Sequence, residues 1–178
     1  MARHRPDLAG LEGVVSSKVL EAMRVAHEEL TRIGVPHLLV GGLAVGAYGH
    51  VRATKDVDFL VGDEAFERQG AGIVSLKAGM PIQVAGVLVD HLSAQPDEEH
   101  LRSLLKQPAA GAPAVVPIEV LVYLKLRSPR AKDRADVVEL VKAGIDADQC
   151  RDYLEKHAAD LVPDLDSAVQ AAAREEDD

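Results

Sequence analysis

Val40–Val61, VGGLAVGAYGHVRATKDVDFLV, decides how this chain is read. It begins with paired glycines behind the apolar run His37–Val40 and ends on two aspartates one residue apart. Arg52, Thr54 and Lys55 lie between. The segment from Asp56 to Val61 has the apolar character of a strand. Strand residues two apart share a face, so Asp56 and Asp58 point the same way while Val57 and Phe59 point the other. Two like charges on one face are unfavourable unless a cation lies between them.

The glycines admit three readings. A dinucleotide fingerprint G-x-G-x-x-G fails because Leu43 stands where its second glycine belongs. A phosphate loop G-x-x-x-x-G-K-[ST] also fails. Gly41 and Gly46 have its spacing, but Ala47 and Tyr48 replace the lysine and the hydroxyl. Left are a plain strand-to-helix turn and a turn whose N–H groups and helix start face an anion such as a triphosphate. The second needs a divalent metal and hard oxygen ligands. Asp56 and Asp58 supply two. A third acid, Asp90, sits inside another apolar run, VLVDHL. If the two strands are neighbours, three carboxylates converge and can hold one or two Mg²⁺ ions, with Mn²⁺ as a substitute.

Working outward, Val19, Leu20, Met23, Ala26, Leu30 and Ile33 recur at helical spacing, so a helix is expected from Ser16 or Ser17 to Ile33, ended by Gly34. A short helix is expected over Leu43–Tyr48, a turn and helix over Asp63–Gln69, and strands over Ile82–Val84 and Gly86–Leu92. Gly70–Met80 has no clear pattern. Further helices are expected over Asp97–Lys106, Ile118–Arg127, Arg130–Ala143, Asp146–His157 and Pro163–Arg174. The fold class is α+β: a small mixed β-sheet core with flanking helices, followed by a C-terminal helical bundle. The division reads 1–13 as a loose polar tail, 14–95 as the α/β core, 96–174 as the helical part and 175–178 as an acidic tail.

Composition narrows the function. The 178 residues carry 29 acids against 20 bases, a net charge of -9, which argues against broad nonspecific nucleic-acid binding. Aromatics make up 3% and tryptophan is absent, so the core is aliphatic. The single cysteine, Cys150, excludes an internal disulfide and reads as a small buried residue. No apolar run is long enough to span a membrane, and MARHRPD lacks the apolar segment of a signal peptide, so a cytoplasmic protein with no membrane partner is expected. The histidines show no metal-binding spacing and read as structural.

The glycine motif, the D-x-D strand and the later acid, in that order, resemble the nucleotidyltransferase superfamily that includes DNA polymerase β. More narrowly, LVYLKLRSPRAKDRADVVELV and the R-x-T-x-D-x-D run Arg52–Asp58 resemble the AbiEii/MenT-like bacterial toxin nucleotidyltransferases. The resemblance covers roughly 35–141. Many members have Gly-Ser where this chain has Gly41-Gly42, which leaves the phosphate contact to backbone N–H groups. It implies a nucleoside triphosphate as donor, Asp56, Asp58 and Asp90 as metal ligands and catalytic groups, and Gly41 and Gly42 as the phosphate turn. A transfer RNA or protein hydroxyl is the implied acceptor, in a toxin–antitoxin setting with an antitoxin partner.

The cluster Lys125, Arg127, Arg130, Lys132 and Arg134 is an exception in this acidic chain. Lys132 and Arg134 can pair with Asp133 or Asp136 on a solvated surface. Lys125 follows Val120, Leu121 and Leu124 on a face expected to be buried, so its charge must point at something. Lys125 and Lys132 are the candidates for triphosphate contacts, with Arg52 a third. Two rival readings remain: a catalytically silent nucleotide-binding or protein-interaction module on the same fold, and a glycosyltransferase using D-x-D, for which the chain is short and Asp90 has no role.

Overall fold

The computed structural model describes residues 5–68, 73–105 and 111–176. Its chain forms an α+β fold that divides into two units. One comprises Glu12–Leu43 and Ala53–Val115, the other Met1–Leu11, Ala44–Arg52 and Val116–Asp178.

The first unit contains α1 (Ser17–Arg32), β1 (His37–Val40), the start of α2 (Gly41–Ala47), β2 (Val57–Val61), β3 (Phe66–Arg68), β4 (Val74–Leu76), β5 (Gln83–Val84), β6 (Val87–Ser93) and α3 (Glu99–Arg102). Ser16 caps α1 by accepting from the N–H of Val19. Gly34, at φ +70°, ends it, and the N–H of Val35 returns to the carbonyl of Leu30. The buried stripe Val19, Ala22, Met23, Ala26, Leu30 packs α1 on the sheet.

That sheet has the order β1-β2-β6-β5. β1 runs antiparallel to β2, β2 parallel to β6, and β6 antiparallel to β5. The register pairs Asp58 with Asp90 and Phe59 with His91. One face therefore carries Leu39, Val57, Phe59 and Val89, all buried. It lies under α1, where His27 meets His37 and His37 meets Phe59 edge-on. The other face carries Asp58, Asp90 and the exposed Leu88 and Leu92.

The second unit packs α4 (Ile118–Arg127) against α5 (Ala131–Lys142) and α6 (Ala147–His157), with α7 (Val162–Glu176) against α5 and α6. α4 is central and buries residues on most of its circumference. Asp146 caps α6 by accepting from the N–H of Gln149 at 3.0 Å. Cys150 is fully buried, and burial pushes its thiol up to about 12, so it is an inert core residue.

Several local expectations change. The Asp63–Gln69 segment makes one turn, Asp63–Ala65, and then turns into β3, which pairs with β4 drawn from the unassigned glycine-rich stretch; Gln69 and 70–72 lie outside the described residues. The Asp97–Lys106 helix shrinks to α3. The side chain of Glu98, just before it, is buried and accepts from the N–H of Gln95 at 2.6 Å. Lys106 is not described. The N-terminal segment is tied down: the N–H of Asp7 reaches the carbonyl of Ala47 at 2.8 Å, and Leu11 is fully buried beside Gly46. Residues 1–4, and 177–178 of the acidic tail, lie outside the described residues.

Candidate metal centre

Three strands' worth of sequence meet at one point. β1 runs into α2 through Gly41, β2 presents Asp58, and β6 presents Asp90 at the paired position. Asp56 lies one residue ahead of β2, in the bend that leads into it, and Thr54 donates to its Oδ1 at 3.1 Å. One carboxylate oxygen each from Asp56, Asp58 and Asp90 lie within 4.8 Å of one another. Asp56 and Asp58 are half-buried and Asp90 is exposed. Neither Asp56 nor Asp90 has an ion-pair partner among the described residues.

Gly41 completes the geometry. Its φ is +67°, a conformation that L side chains rarely adopt, and a Cβ there would lie 1.9 Å from Oδ2 of Asp58. Glycine thus lets the backbone at the head of α2 close against the carboxylate. Gly42 follows in the first turn of α2, where N–H groups have no partner within the helix. Three convergent carboxylates are a hard-oxygen donor set, the chemistry that Mg²⁺ and Mn²⁺ take. The donor set fits such an ion.

The sequence-selected cations belong to the chain's second unit, and two of them are held in ion pairs there. Lys125, 6% exposed, places Nζ 2.7 Å from Oδ1 of Asp133 and 2.8 Å from Oδ2 of Asp136. Arg52 donates through Nε and Nη2 to the two oxygens of Asp136, each at 2.8 Å. Arg130 donates to Oδ2 of Asp133 at 2.7 Å. Asp133 and Asp136 are each 2% exposed, so the solvated pairing expected for them is replaced by a buried network. Burial alone would push both carboxyls up. Hydrogen bonds from Lys125, Ser128 and Arg130 outweigh it and hold Asp133 at about 2, and Arg52 and Lys125 hold Asp136 below its ordinary value. Lys132 is exposed on α5.

Sequence reading missed the part played by Asp133 and Asp136. Their spacing carried a signal. Asp133, Asp136, Val137 and Leu140 fall at i, i+3, i+4 and i+7, the stripe of α5 that is buried.

No protein-family profile matches this chain, and no curated protein does. Among solved structures, an antigenic nucleotidyltransferase-like protein from Paracoccidioides brasiliensis is similar at 17% identity, over 89% of this chain and 94% of that one, with a TM-score of 0.48.

Proposed function

We propose that this chain is a metal-dependent nucleotidyltransferase that moves a nucleoside monophosphate from a nucleoside triphosphate to a hydroxyl acceptor. The observation that supports this most is the convergence of Asp56, Asp58 and Asp90 from separate segments onto one point, with Gly41 closed against Asp58. Asp56, Asp58 and Asp90 hold Mg²⁺, or Mn²⁺ in its place. A divalent ion there supplies charge neutralisation for the phosphates and activation of the attacking oxygen. Asp90 is the most open of the three and takes the acceptor's proton as its oxygen attacks the α-phosphorus and pyrophosphate leaves. Gly41 and Gly42 offer N–H groups to the departing phosphates.

Of the cations, Lys132 is the exposed candidate for a phosphate contact. Lys125 and Arg52 are bonded to Asp133 and Asp136. The narrower setting is part of the same proposal and rests on the sequence resemblance: a cytoplasmic toxin of the AbiEii/MenT-like kind, restrained by an antitoxin and acting on a transfer RNA or protein. No helix among the described residues is long and apolar enough to cross a membrane.

Calorimetric titration of ATP, CTP, GTP and UTP with Mg²⁺ tests the reading, in wild type and in Asp56→Ala/Asp58→Ala. Binding that requires both metal and carboxylates is expected. Absence of binding by any nucleotide would leave the silent interaction module as the better account.

A further inference from the structure

The three carboxylates of the metal centre are not held alike. Asp58 is the second residue of β2 and pairs with Val40 of β1 on one side and Asp90 of β6 on the other, so two ladders fix its backbone. Asp90 lies inside β6 and is fixed by the same pairing. Asp56 precedes β2, in a bend, and has no ladder partner among the described residues. Two like charges stand close to it, and their repulsion drives its side chain outward unless something holds it.

Thr54 holds it. Its Oγ1 lies 3.1 Å from Oδ1 of Asp56, and this is the one hydrogen bond that the Asp56 carboxylate makes among the described residues. An ionised carboxylate only accepts, so the shared proton is the threonine's. A bond to a charged acceptor is the stronger kind. Threonine also suits the task because branching at Cβ restricts χ1 and leaves the hydroxyl few directions to point. The segment from Val51 to Lys55 has no regular structure of its own, so this contact is what orients the carboxylate.

Orientation matters differently to different ions. Mg²⁺ and Mn²⁺ take their oxygens in an octahedral arrangement, and Mg²⁺ tolerates little departure from it, whereas Ca²⁺ accepts more ligands in looser geometry. A carboxylate held in one direction favours the smaller ions. We propose that Thr54 is a positioning residue of the metal centre: its hydroxyl sets the direction of the Asp56 carboxylate and so tilts the site toward Mg²⁺ and Mn²⁺ over Ca²⁺. This rests on the reading of Asp56, Asp58 and Asp90 as metal ligands. Thr54 touches no ion itself; it acts through Asp56.

The test is calorimetric titration of Mn²⁺ and, separately, Ca²⁺ into wild type, Thr54→Val, Thr54→Ala and Thr54→Ser, with the urea midpoint of each in EDTA. Valine keeps the branched shape and removes the donor; serine keeps the donor and removes the branch. Groups that orient a metal ligand from behind are worth roughly 10- to 100-fold in affinity, so Thr54→Val and Thr54→Ala are expected to bind Mn²⁺ on the order of tenfold more weakly. The loss for Ca²⁺ is expected to be smaller, Thr54→Ser to stay closer to wild type than to Thr54→Val, and the midpoints in EDTA to change little, because Thr54 is only half-buried. Full Mn²⁺ affinity without the hydroxyl, a serine variant as weak as the valine one, or equal losses for Mn²⁺ and Ca²⁺ would each overturn the assignment. Thr54→Ala carries the comparison if the valine variant does not fold, since it places no carbon near Asp56. Absence of Mn²⁺ binding by wild type, alone and with each of ATP, CTP, GTP and UTP, would instead sink the reading of the three aspartates as a metal centre.

Discussion

The backbone of Gly41 occupies the space beside Asp58 so closely that a methyl group at Gly41 would lie 1.9 Å from that carboxylate's Oδ2. The clash and the φ of +67° act together in Gly41→Ala. The left-handed conformation alone costs roughly 1–2 kcal/mol for an L residue. Displacement of Asp58 adds to that and breaks its alignment with Asp56 and Asp90. The expected outcome is a lower urea midpoint together with weakened Mn²⁺ binding by calorimetry. Retention of full metal affinity would show that the close approach is incidental to the site.

Asp90→Asn separates metal binding from folding. In the absence of metal, Asp58 and Asp90 are paired across parallel strands with Asp56 beside them, and their repulsion opposes folding. Removing one charge is expected to raise stability in EDTA by a few tenths to about 1 kcal/mol, the range for cross-strand pairs. Mg²⁺ bound at the site is expected to raise the wild type's melting temperature through linkage, and the same change is expected to abolish that rise. Thermal melts with EDTA and with excess Mg²⁺ show both effects. A variant less stable than wild type in EDTA would mean that these carboxylates do not strain one another.

Lys125 presents the opposite case, a buried cation whose removal strands two anions. Lys125→Met keeps the packing volume and leaves Asp133 with Arg130, which is largely exposed, and Asp136 with Arg52. Breaking a buried pair costs about 3 kcal/mol or more. The acid limb of stability follows from the same network. Asp133 and Asp136 are held below their ordinary value, so their contribution is complete above pH 3.8 and is lost as pH falls through the folded values, about 2 for Asp133. Urea midpoints between pH 7 and pH 2 for wild type and Lys125→Met test both statements. Nucleotide affinity of the folded variant separates the roles: an unchanged affinity assigns Lys125 to the scaffold, and a large loss assigns it to the phosphates.

These cases show which parts of the molecule could be read from the sequence. Asp56, Asp58 and Asp90 were visible as acids set in or beside apolar runs, although Asp56 lies one residue ahead of β2 rather than within it. The register that pairs Asp58 with Asp90 was not, because a local pattern does not name a strand's neighbour. Lys125 was visible as a charge on an apolar helical face. Its partners were misread because Asp133 and Asp136 stand among Lys132 and Arg134, and a mixed-charge run imitates a solvated face. β3 and β4, three residues each, are too short for any periodicity to show. Leu11 lay in a polar context that hid its burial against Gly46.

The paired imidazoles of His27 and His37 give a pH dependence near neutrality. Nδ1 of His27 is 2.7 Å from Nε2 of His37, both rings are buried, and Nδ1 of His37 donates to the carbonyl of Val35 at 2.7 Å. Burial lowers both pKa values from 6.5, outweighing a backbone hydrogen bond at Gly111 for His27 and at Val35 for His37. A histidine held low in the folded state takes up protons more readily when unfolded. Its contribution to stability is therefore complete above about pH 6.5 and is lost as pH falls below that value. Each such group steepens the decline by up to about 1.4 kcal/mol per pH unit. Burial also lowers His91, and His157 is lowered too, so the wild-type slope is a sum. His27→Gln removes one member, keeps a side chain able to hydrogen-bond to His37, and is expected to show a shallower fall in urea midpoint between pH 7.5 and pH 5.5. Equal slopes for the two proteins would mean that the buried pair accepts a proton as easily folded as unfolded, with the charge shared across the 2.7 Å contact.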